Sequence, residues 1–233
     1  MNTLDGDGDM SRGEGRRGGC EAEVGPEVGP EAGPAAASAD TRTRILAVSL
    51  ALFNARGLGH VTTAEIAAAA GIREGNLQYH FPRKRGLVEA LFAAFETEAV
   101  AVAGRMPADP AAPEALLAYQ RSWFDLMWRY RCVYRDGIAM VEIAPGLRPR
   151  IHTLRAETQA LARGVFEAAV RAGRLRVAPD ALGRLIDNAW IVSSHWMSHR
   201  LQGGTALTEA DRDWGFAQVR DLFAPYLAPE SPT

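Results

Sequence analysis

Residues 62–81 read TTAEIAAAAGIREGNLQYHF, a pattern that predicts two short helices joined by a tight turn. Thr62 or Thr63 can cap the first helix, because a hydroxyl at that position accepts a backbone N–H. Gly71 is suited to end it, and the second helix is predicted over 74–81. Two helices joined in this way form a helix-turn-helix, whose second helix enters the DNA major groove.

Apolar residues at helical spacing continue on both sides of this motif. A preceding helix is predicted to end at Gly57, and Pro82 is predicted to open a fourth helix. The apolar face of the preceding helix consists of Ile45, Leu46, Leu50 and Phe53. Further helices are predicted over 113–130, 149–172, 180–201 and 208–224, with a short piece at 132–141. No alternating strand pattern occurs, so we predict an all-α fold of about nine helices.

Charge is distributed unevenly along the chain. The whole chain has a formal net charge of −2, whereas residues 41–86 carry +5 and residues 1–40 carry −6. The tail over 1–40 is rich in Gly, Pro, Ala and acidic residues, and we predict that it is disordered because it has little apolar surface to bury. A basic helix-turn-helix on a near-neutral body is the electrostatic pattern of a phosphate binder.

Several classes of protein are disfavoured by the sequence. Cys20 and Cys132 are too few for a disulfide framework or a four-ligand zinc site, and Cys132 is predicted to be a buried structural thiol. The N-terminus lacks the apolar run of a signal peptide, and the chain lacks 18 consecutive apolar residues. We therefore expect a cytoplasmic, nucleoid-associated protein with no membrane partner.

The region over 44–87 resembles the DNA-binding domain of TetR-family transcriptional regulators, which are bacterial. The matching segments are Arg44-Ile-Leu, Leu52-Phe53, Gly57, Val61-Thr62-Thr63, Glu65-Ile66-Ala67, Ala70-Gly71-Ile72 and Gly75-Asn-Leu-Gln-Tyr-His-Phe81. Residues 125–130 and 134–136 resemble a subgroup of that family more loosely. The resemblance implies a homodimer with two DNA-binding heads (41–87), each below a variable helical domain for ligand binding and dimerisation (88–228).

The same resemblance implies roles at the DNA surface. Thr62 or Thr63 would offer a backbone N–H to a phosphate, and Lys84 matches the family's phosphate-contacting lysine. The candidates near or on the recognition helix are Arg73, Asn76, Gln78, Tyr79 and His80. Gln78 stands where the family usually has a phosphate-contacting tyrosine, although Gln can also donate to phosphate or read adenine.

A less specific interpretation of these residues stays open. Tyr79 and His80 could close the small three-helix core, and the arginines could form a solvated face. Leu77 and Phe81 are predicted to be core under either interpretation.

In the C-terminal part, most large apolar residues must be core. The resemblance implies a ligand pocket among them, for which the candidates are Trp123, Met127, Tyr130, Asn188 and His195. It also implies that the last two helices form a four-helix bundle with their copies. The candidate interface residues are Trp190, Val192, Trp214 and Phe223.

The predicted function is that of a DNA-binding transcriptional regulator, a ligand-responsive repressor that binds a pseudo-palindromic operator as a dimer. We expect no enzymatic activity, no cofactor and no metal, and the effector is an unknown small molecule. One alternative is a helical metal-dependent hydrolase that uses His195, His199 and Asp187, since histidines four apart can share a metal. Another is a TetR-fold adaptor that binds protein rather than DNA, which only Gln78 favours.

Overall fold

The computed structural model describes residues 34–105, 113–204 and 206–228. In these ranges the chain is all-α, as predicted, with ten α-helices, two short 3-10 turns and one isolated β-bridge. The helices are α1 (Pro34–Arg56), α2 (Thr63–Ala69), α3 (Glu74–His80), α4 (Lys84–Ala103), α5 (Pro113–Arg129), α6 (Arg131–Arg135), α7 (Gly137–Ile143), α8 (Leu147–Arg171), α9 (Pro179–Leu201) and α10 (Glu209–Phe223). Within the described ranges no helix combines the length and apolar content needed to cross a bilayer.

The first helix begins earlier than the sequence predicted. Order was expected near Thr41, but α1 starts at Pro34, so the disordered tail predicted over 1–40 is wrong for its last seven residues. Alanine-rich sequence has high helix propensity, and extending an existing helix avoids the cost of nucleation. The rest of the predicted tail, residues 1–33, lies outside the described residues.

The predicted helix count is also low by one. The short piece expected at 132–141 is two helices, α6 and α7, which meet at Asp136. The predicted fourth helix begins at Lys84 rather than Pro82, because Arg83 is the N-cap residue with an extended backbone.

The head consists of α1–α3 and the first turns of α4 around an apolar core that continues into the body. Its fully buried side chains are Ile45, Phe53, Leu58, Val61, Ile66, Leu77, Leu87 and Val88. Leu77 and Phe81 are 0% and 3% exposed, so their predicted core positions are confirmed. With Leu77 buried, its neighbours on α3 face away from this core.

Helix α4 connects the head to the body without a break. Leu87 and Val88 lie in the head core, whereas Phe92 and Phe95 pack among the body helices. The predicted domain boundary at residues 87 and 88 therefore falls inside one helix. The buried residues of the head and these first residues of the body form one continuous apolar cluster, which α4 runs through.

The body is built from α5–α10, with α9 and α10 in extensive contact. Gly215 on α10 allows this approach, since a Cβ there would lie 2.6 Å from Cδ2 of Trp196 on α9. Phe223 of α10 stacks on Phe166 of α8, with ring centroids 4.5 Å apart. The capping box predicted at Thr208 and Asp211 is present at the start of α10.

Candidate nucleic-acid interface and cavity

The start of α2 is fixed by a capping box. The hydroxyl of Thr62 accepts the backbone N–H of Glu65 at 3.2 Å, and the Glu65 carboxylate accepts the backbone N–H of Thr62 at 2.8 Å. Thr62, rather than Thr63, is therefore the cap. The Thr62 hydrogen bonds and the nearby Arg56 guanidinium lower the pKa of Glu65 to about 2. This carboxylate stays ionised at neutral pH and holds the first turn of α2 in place.

Gly71 makes the turn of the helix-turn-helix. Its φ of +66° lies in the left-handed region, which glycine adopts without the steric cost of a Cβ. The backbone N–H of Ile72 donates to the carbonyl of Ala67 at 3.0 Å and thereby closes α2. This conformation sets the direction in which α3 leaves the turn.

Helix α3 presents an exposed row of polar and aromatic side chains. Its exposed polar and aromatic side chains are the predicted candidates Arg73, Asn76, Gln78 and Tyr79, together with Glu74, whose carboxylate accepts a hydrogen bond from Thr63. Tyr79 is 79% exposed, so it does not close the three-helix core. His80 is half-buried and meets the Tyr79 ring edge-on, with centroids 5.2 Å apart. This edge of α3 therefore faces solvent.

Lys84 differs from the other candidates because its ammonium is already in contact with the protein. Its Nζ donates to the carbonyl oxygen of Leu58 and lies 5.7 Å from the centroid of the Phe53 ring. Burial lowers the pKa of this ammonium below its ordinary value. The contact ties the start of α4 to the end of α1. Since an ammonium has three N–H donors, further donors remain for a phosphate.

A polar clamp between head and body was not predicted; it consists of Asn54, Arg135 and Asp136. Arg135 on α6 donates to the carbonyl oxygens of Phe53 and Asn54 at 2.7 and 3.0 Å. The carboxylate of Asp136 accepts the backbone N–H of Leu58 at 2.9 Å. The carbonyl of Asn54 and the backbone N–H of Leu58, at and just after the end of α1, are thus paired by residues of the body, and the Phe53 carbonyl gains a second donor besides Gly57.

The Asn54 side chain bridges α1 to the junction of α5 and α6. Its Nδ2 donates to the carbonyl of Arg129 at 2.7 Å, and its Oδ1 accepts the backbone N–H of Cys132 at 3.0 Å. Residues 134–136 were noted in the sequence only for a loose resemblance. No local pattern shows which distant backbone groups such side chains satisfy.

Cys132 is the free cysteine within the described residues, and Cys20 lies outside them. Cys132 is 1% exposed, and burial raises the pKa of its thiol to about 12. The predicted buried structural thiol is confirmed, because a buried protonated thiol is a poor nucleophile.

The body contains a cavity of about 410 Å³, within the size range of small-molecule sites. It lies between α4, α5, α7, α8 and α9, with contributions from α6 and α10. Its wall is mostly apolar, and its aromatic lining residues are Phe92, Phe95, Tyr119, Trp123, Phe124, Tyr134, Phe166, Trp190 and Phe223. Two of the five predicted pocket residues, Trp123 and Met127, line it.

The other three predicted pocket residues lie elsewhere. Tyr130 is 4% exposed, but its hydroxyl donates to the carboxylate of Glu98 at 2.6 Å, away from the cavity wall. Asn188 and His195 are exposed on α9, seven residues apart on one outward face. The sequence indicated that α9 borders the pocket, but it did not fix the rotation of the helix about its axis.

Of the four predicted dimer-interface residues, one is buried inside the body and three are half-buried. Phe223 is 4% exposed and stacks inside the body, so it is removed from the interface candidates. Trp190 is half-buried and lines the cavity, and Val192 is half-buried as well. Trp214 is half-buried and stacks on His199, with centroids 6.0 Å apart.

The histidines of the hydrolase alternative have other contacts. A ring nitrogen of His195 lies 3.1 Å from the carbonyl oxygen of Ile191, and His199 stacks on Trp214. Within the described part of the chain, no three or more His, Cys, Asp or Glu side chains group in a way that could hold a metal ion. The structure offers no observation in favour of that alternative.

Comparisons with known proteins cover both parts of the chain. Residues 45–91 match a family described as "Bacterial regulatory proteins, tetR family". Residues 94–233 match a second family, described as "Bacterial transcriptional repressor". The HTH-type transcriptional repressor KstR2 of Rhodococcus jostii (strain RHA1) is 30% identical over 157 residues, which cover 64% of this chain and 76% of that protein.

Solved structures show the same likeness. A TetR-family transcriptional regulator from Marinobacter aquaeolei VT8 is 32% identical with a TM-score of 0.72, over 82% of this chain and 92% of that one. A TetR-family regulator from Agrobacterium tumefaciens shares the fold at 21% identity and a TM-score of 0.65, over 82% of this chain and 100% of that one. The likeness extends through head and body alike.

Proposed function

Because the chain belongs to the TetR family of bacterial transcriptional regulators, we propose that it is a ligand-responsive repressor that binds its operator as a homodimer. Membership of this family makes the chain a DNA-binding transcriptional regulator. The proposal adds the sign of regulation, the oligomeric state, the effector site and the residues that carry each role.

The proposed DNA surface is the exposed edge of α3 with the starts of α2 and α4. Asn76 and Gln78 can read adenine, since a side-chain amide pairs with the N6 and N7 edge of that base. Tyr79 can pack on sugar or on a thymine methyl, and Arg73 can pair with guanine or phosphate. The sequence-neutral contacts would come from the remaining candidates, Thr62, Thr63, His80 and Lys84.

The charge of the head supports this assignment. Residues 41–86 carry +5, and the exposed arginines beside α3 and α4 include Arg73, Arg83 and Arg85. Neutralising phosphates with such side chains releases counterions, which makes binding strongly dependent on salt. Binding is therefore expected to weaken steeply between low and physiological ionic strength.

A homodimer is proposed because one small head covers one operator half-site. Two heads on a pseudo-palindrome need half-sites about 10 base pairs apart, or a multiple of that spacing. The proposed interface is the outer face of α9 and α10, where Ile191 is 55% exposed. Val192 and Trp214 flank this face, and Trp190 reaches it from the cavity side.

The observation that carries ligand regulation is that the cavity wall and the head share two elements. Phe92 and Phe95 of α4 line the cavity, while the same helix enters the head core through Leu87. Tyr134 of α6 lines the cavity, while the adjacent Arg135 holds the end of α1. An effector that prefers a different position of these helices would shift the head and release the operator.

The division of the chain follows from this proposal. Residues 41–87 form the DNA-binding unit and 88–228 the ligand-binding and dimerisation unit, with α4 as their shared helix. The regulator would act at the chromosome, where its operator lies.

The test is fluorescence anisotropy of the purified chain on DNA from upstream of its own gene, at two salt concentrations with excess unrelated competitor. Tight, competitor-resistant binding with two chains per site would support the dimeric regulator. A genome-fragment selection follows if that DNA does not contain the operator. Weak binding that is equal on every selected fragment would favour the protein-binding alternative. Repression itself is tested with a reporter under the selected operator, with and without the gene for this chain.

A further inference from the structure

The cavity in the body carries charge of one sign. Among the residues that the structure describes, Arg155 is the one lining residue with a charged side chain, and none of the others is Asp, Glu, Lys or His. These other lining side chains are apolar or neutral. On this wall an effector would therefore meet one positive charge in a largely apolar surrounding.

Arg155 lies at a polar end of the cavity. Its guanidinium is 5.9 Å from the centroid of the Trp190 ring, which joins this part of α8 to α9. Thr158 follows Arg155 by three residues on α8, and Ser193 and Ser194 follow Trp190 by three and four on α9. The hydroxyls of Thr158 and Ser194 donate to backbone carbonyls one turn earlier on their own helices, so each can still accept a hydrogen bond from a ligand.

The guanidinium is available to a ligand. In the described part of the chain no carboxylate forms an ion pair with Arg155, whereas Arg150 on the same helix pairs with Glu96 at 2.5 Å. Arg155 is exposed, so water solvates its charge in the absence of a ligand and little desolvation free energy is lost on folding. A ligand that pairs with the guanidinium would displace this water.

A second polar group in the cavity wall lacks a partner. Tyr119 is 7% exposed, and its hydroxyl is buried without a hydrogen bond to any described residue. Trp123 meets its ring edge-on, with centroids 6.3 Å apart, and the indole N–H can only donate toward the hydroxyl, so the phenol O–H itself has no acceptor among the described residues. A buried hydroxyl without a partner is unfavourable, which fits a site completed by a polar atom of the ligand.

We infer that the effector is an apolar, ring- or chain-containing molecule with one anionic group, a carboxylate or a similar acid, that pairs with Arg155. This inference rests on the proposed ligand-responsive function. The apolar part lies among the aromatic side chains, and the anionic group lies at the Arg155 end. A cationic effector would be repelled there because no carboxylate lines the cavity.

Two dyes with one ring system separate the contribution of charge from that of shape. The anion is 1-anilinonaphthalene-8-sulfonate, and its neutral counterpart is N-phenyl-1-naphthylamine, which lacks the sulfonate. Both are titrated by fluorescence into the full chain, into Arg155→Gln and into Arg163→Gln. Arg163 is the matched control, since it is exposed on the same helix and does not line the cavity.

Arg155→Gln is expected to weaken the sulfonate dye about 10-fold, because a charge-assisted hydrogen bond is lost. The neutral dye should change by less than about twofold, and Arg163→Gln should leave both dyes unchanged, since an exposed charge outside the site contributes little. Ala162→Phe, which fills the cavity, should abolish binding of both dyes while the far-UV circular dichroism stays helical. Sulfonate binding that survives a folded Ala162→Phe variant would place the dye elsewhere and overturn the inference.

Three other outcomes would overturn the inference. Arg155→Gln could weaken both dyes equally, it could match Arg163→Gln, or the wild-type chain could bind neither dye. The first two leave a ligand-binding regulator with a different effector class. The third removes the cavity as an effector site, while the anisotropy measurement still decides DNA binding by itself.

Discussion

The guanidinium of Arg135 donates hydrogen bonds to the carbonyl oxygens of Phe53 and Asn54 at 2.7 and 3.0 Å, so a body helix supports the last turn of a head helix. The Phe53 carbonyl also accepts the backbone N–H of Gly57, whereas the Asn54 carbonyl belongs to the group at a helix end that lacks a backbone donor and needs an outside partner. Here the partner sits next to Tyr134, which lines the cavity. The same short helix therefore touches the cavity on one side and the head on the other.

Removing the Arg135 side chain should loosen the head from the body. Arg135→Met is expected to lower the free energy of unfolding by about 2–4 kcal/mol, because buried carbonyls and the Asp136 carboxylate lose a charged partner. Urea denaturation measures the change. Arg184→Gln is the control, since that exposed arginine pairs only with Asp180 and should cost less than about 0.5 kcal/mol. Equal effects of the two substitutions would refute the clamp.

Substitution of Gly71 by alanine is expected to destabilise the fold. A Cβ at Gly71 meets no atom within 4 Å, so the cost of Gly71→Ala is conformational and should be about 1 kcal/mol of unfolding free energy. Gly75→Ala is the matched control, because Gly75 is helical with nothing within 4 Å and alanine favours a helix. The two variants should change thermal stability in opposite directions. A stabilising Gly71→Ala would contradict the argument.

Gly215 should be intolerant of alanine for a different reason. A Cβ there would lie 2.6 Å from the buried Trp196 ring, so Gly215→Ala forces α9 and α10 apart and should cost about 1–3 kcal/mol. Thermal unfolding of Gly164→Ala provides the comparison, because Gly164 on α8 has open space around it. If Gly215→Ala proves as stable as Gly164→Ala, the close packing of the two helices is not maintained in solution.

Tyr79 should matter for DNA and not for the fold. With its side chain 79% exposed, Tyr79→Ala should leave thermal unfolding unchanged and weaken operator binding by about 1–2 kcal/mol, through the loss of contact with sugar or thymine methyl. Ile138→Ala serves as the control, because Ile138 is 81% exposed on the body. Anisotropy titrations on the operator compare the variants. Unchanged affinity in Tyr79→Ala would remove this residue from the interface.

Acid should selectively weaken the start of α2. The pKa of Glu65 is lowered from 4.5 to about 2, so its ionised form stabilises the fold. That contribution is fully present above the unfolded pKa of 4.5 and is lost as the pH falls through about 2. The stability difference between wild type and Glu65→Gln should therefore shrink across this window. Urea unfolding at several pH values measures it, and a constant difference would exclude the capping carboxylate as the cause.

Much of the head could be predicted from sequence because its determinants are local. Thr62 and Glu65 are three residues apart, Gly71 follows directly, and the spacing of Ile66 and Leu77 selects the buried face of each helix. These interactions close within one or two turns. The sequence also indicated that α1 would end at Gly57, because a glycine there permits the positive φ that follows the helix.

The sequence could not reveal the contacts between distant helices. Arg135 and Asn54 are 81 residues apart, and only the packing of α6 against α1 brings the guanidinium to its carbonyl. The same reason explains why Phe223 faces the interior and Asn188 faces outward. A helical period gives the faces of a helix, but not which neighbour each face meets.

By itself, the sequence determined the helix-turn-helix, the all-α class and the basic head, since capping, turn geometry and net charge depend on residue type and short spacing. The tertiary structure alone decided that the body contains a cavity, that Arg155 is the charged side chain among its described lining residues and that α4 and α6 connect it to the head. Those properties arise from how ten separate helices pack, and each depends on the rotation and separation of neighbouring helices in space.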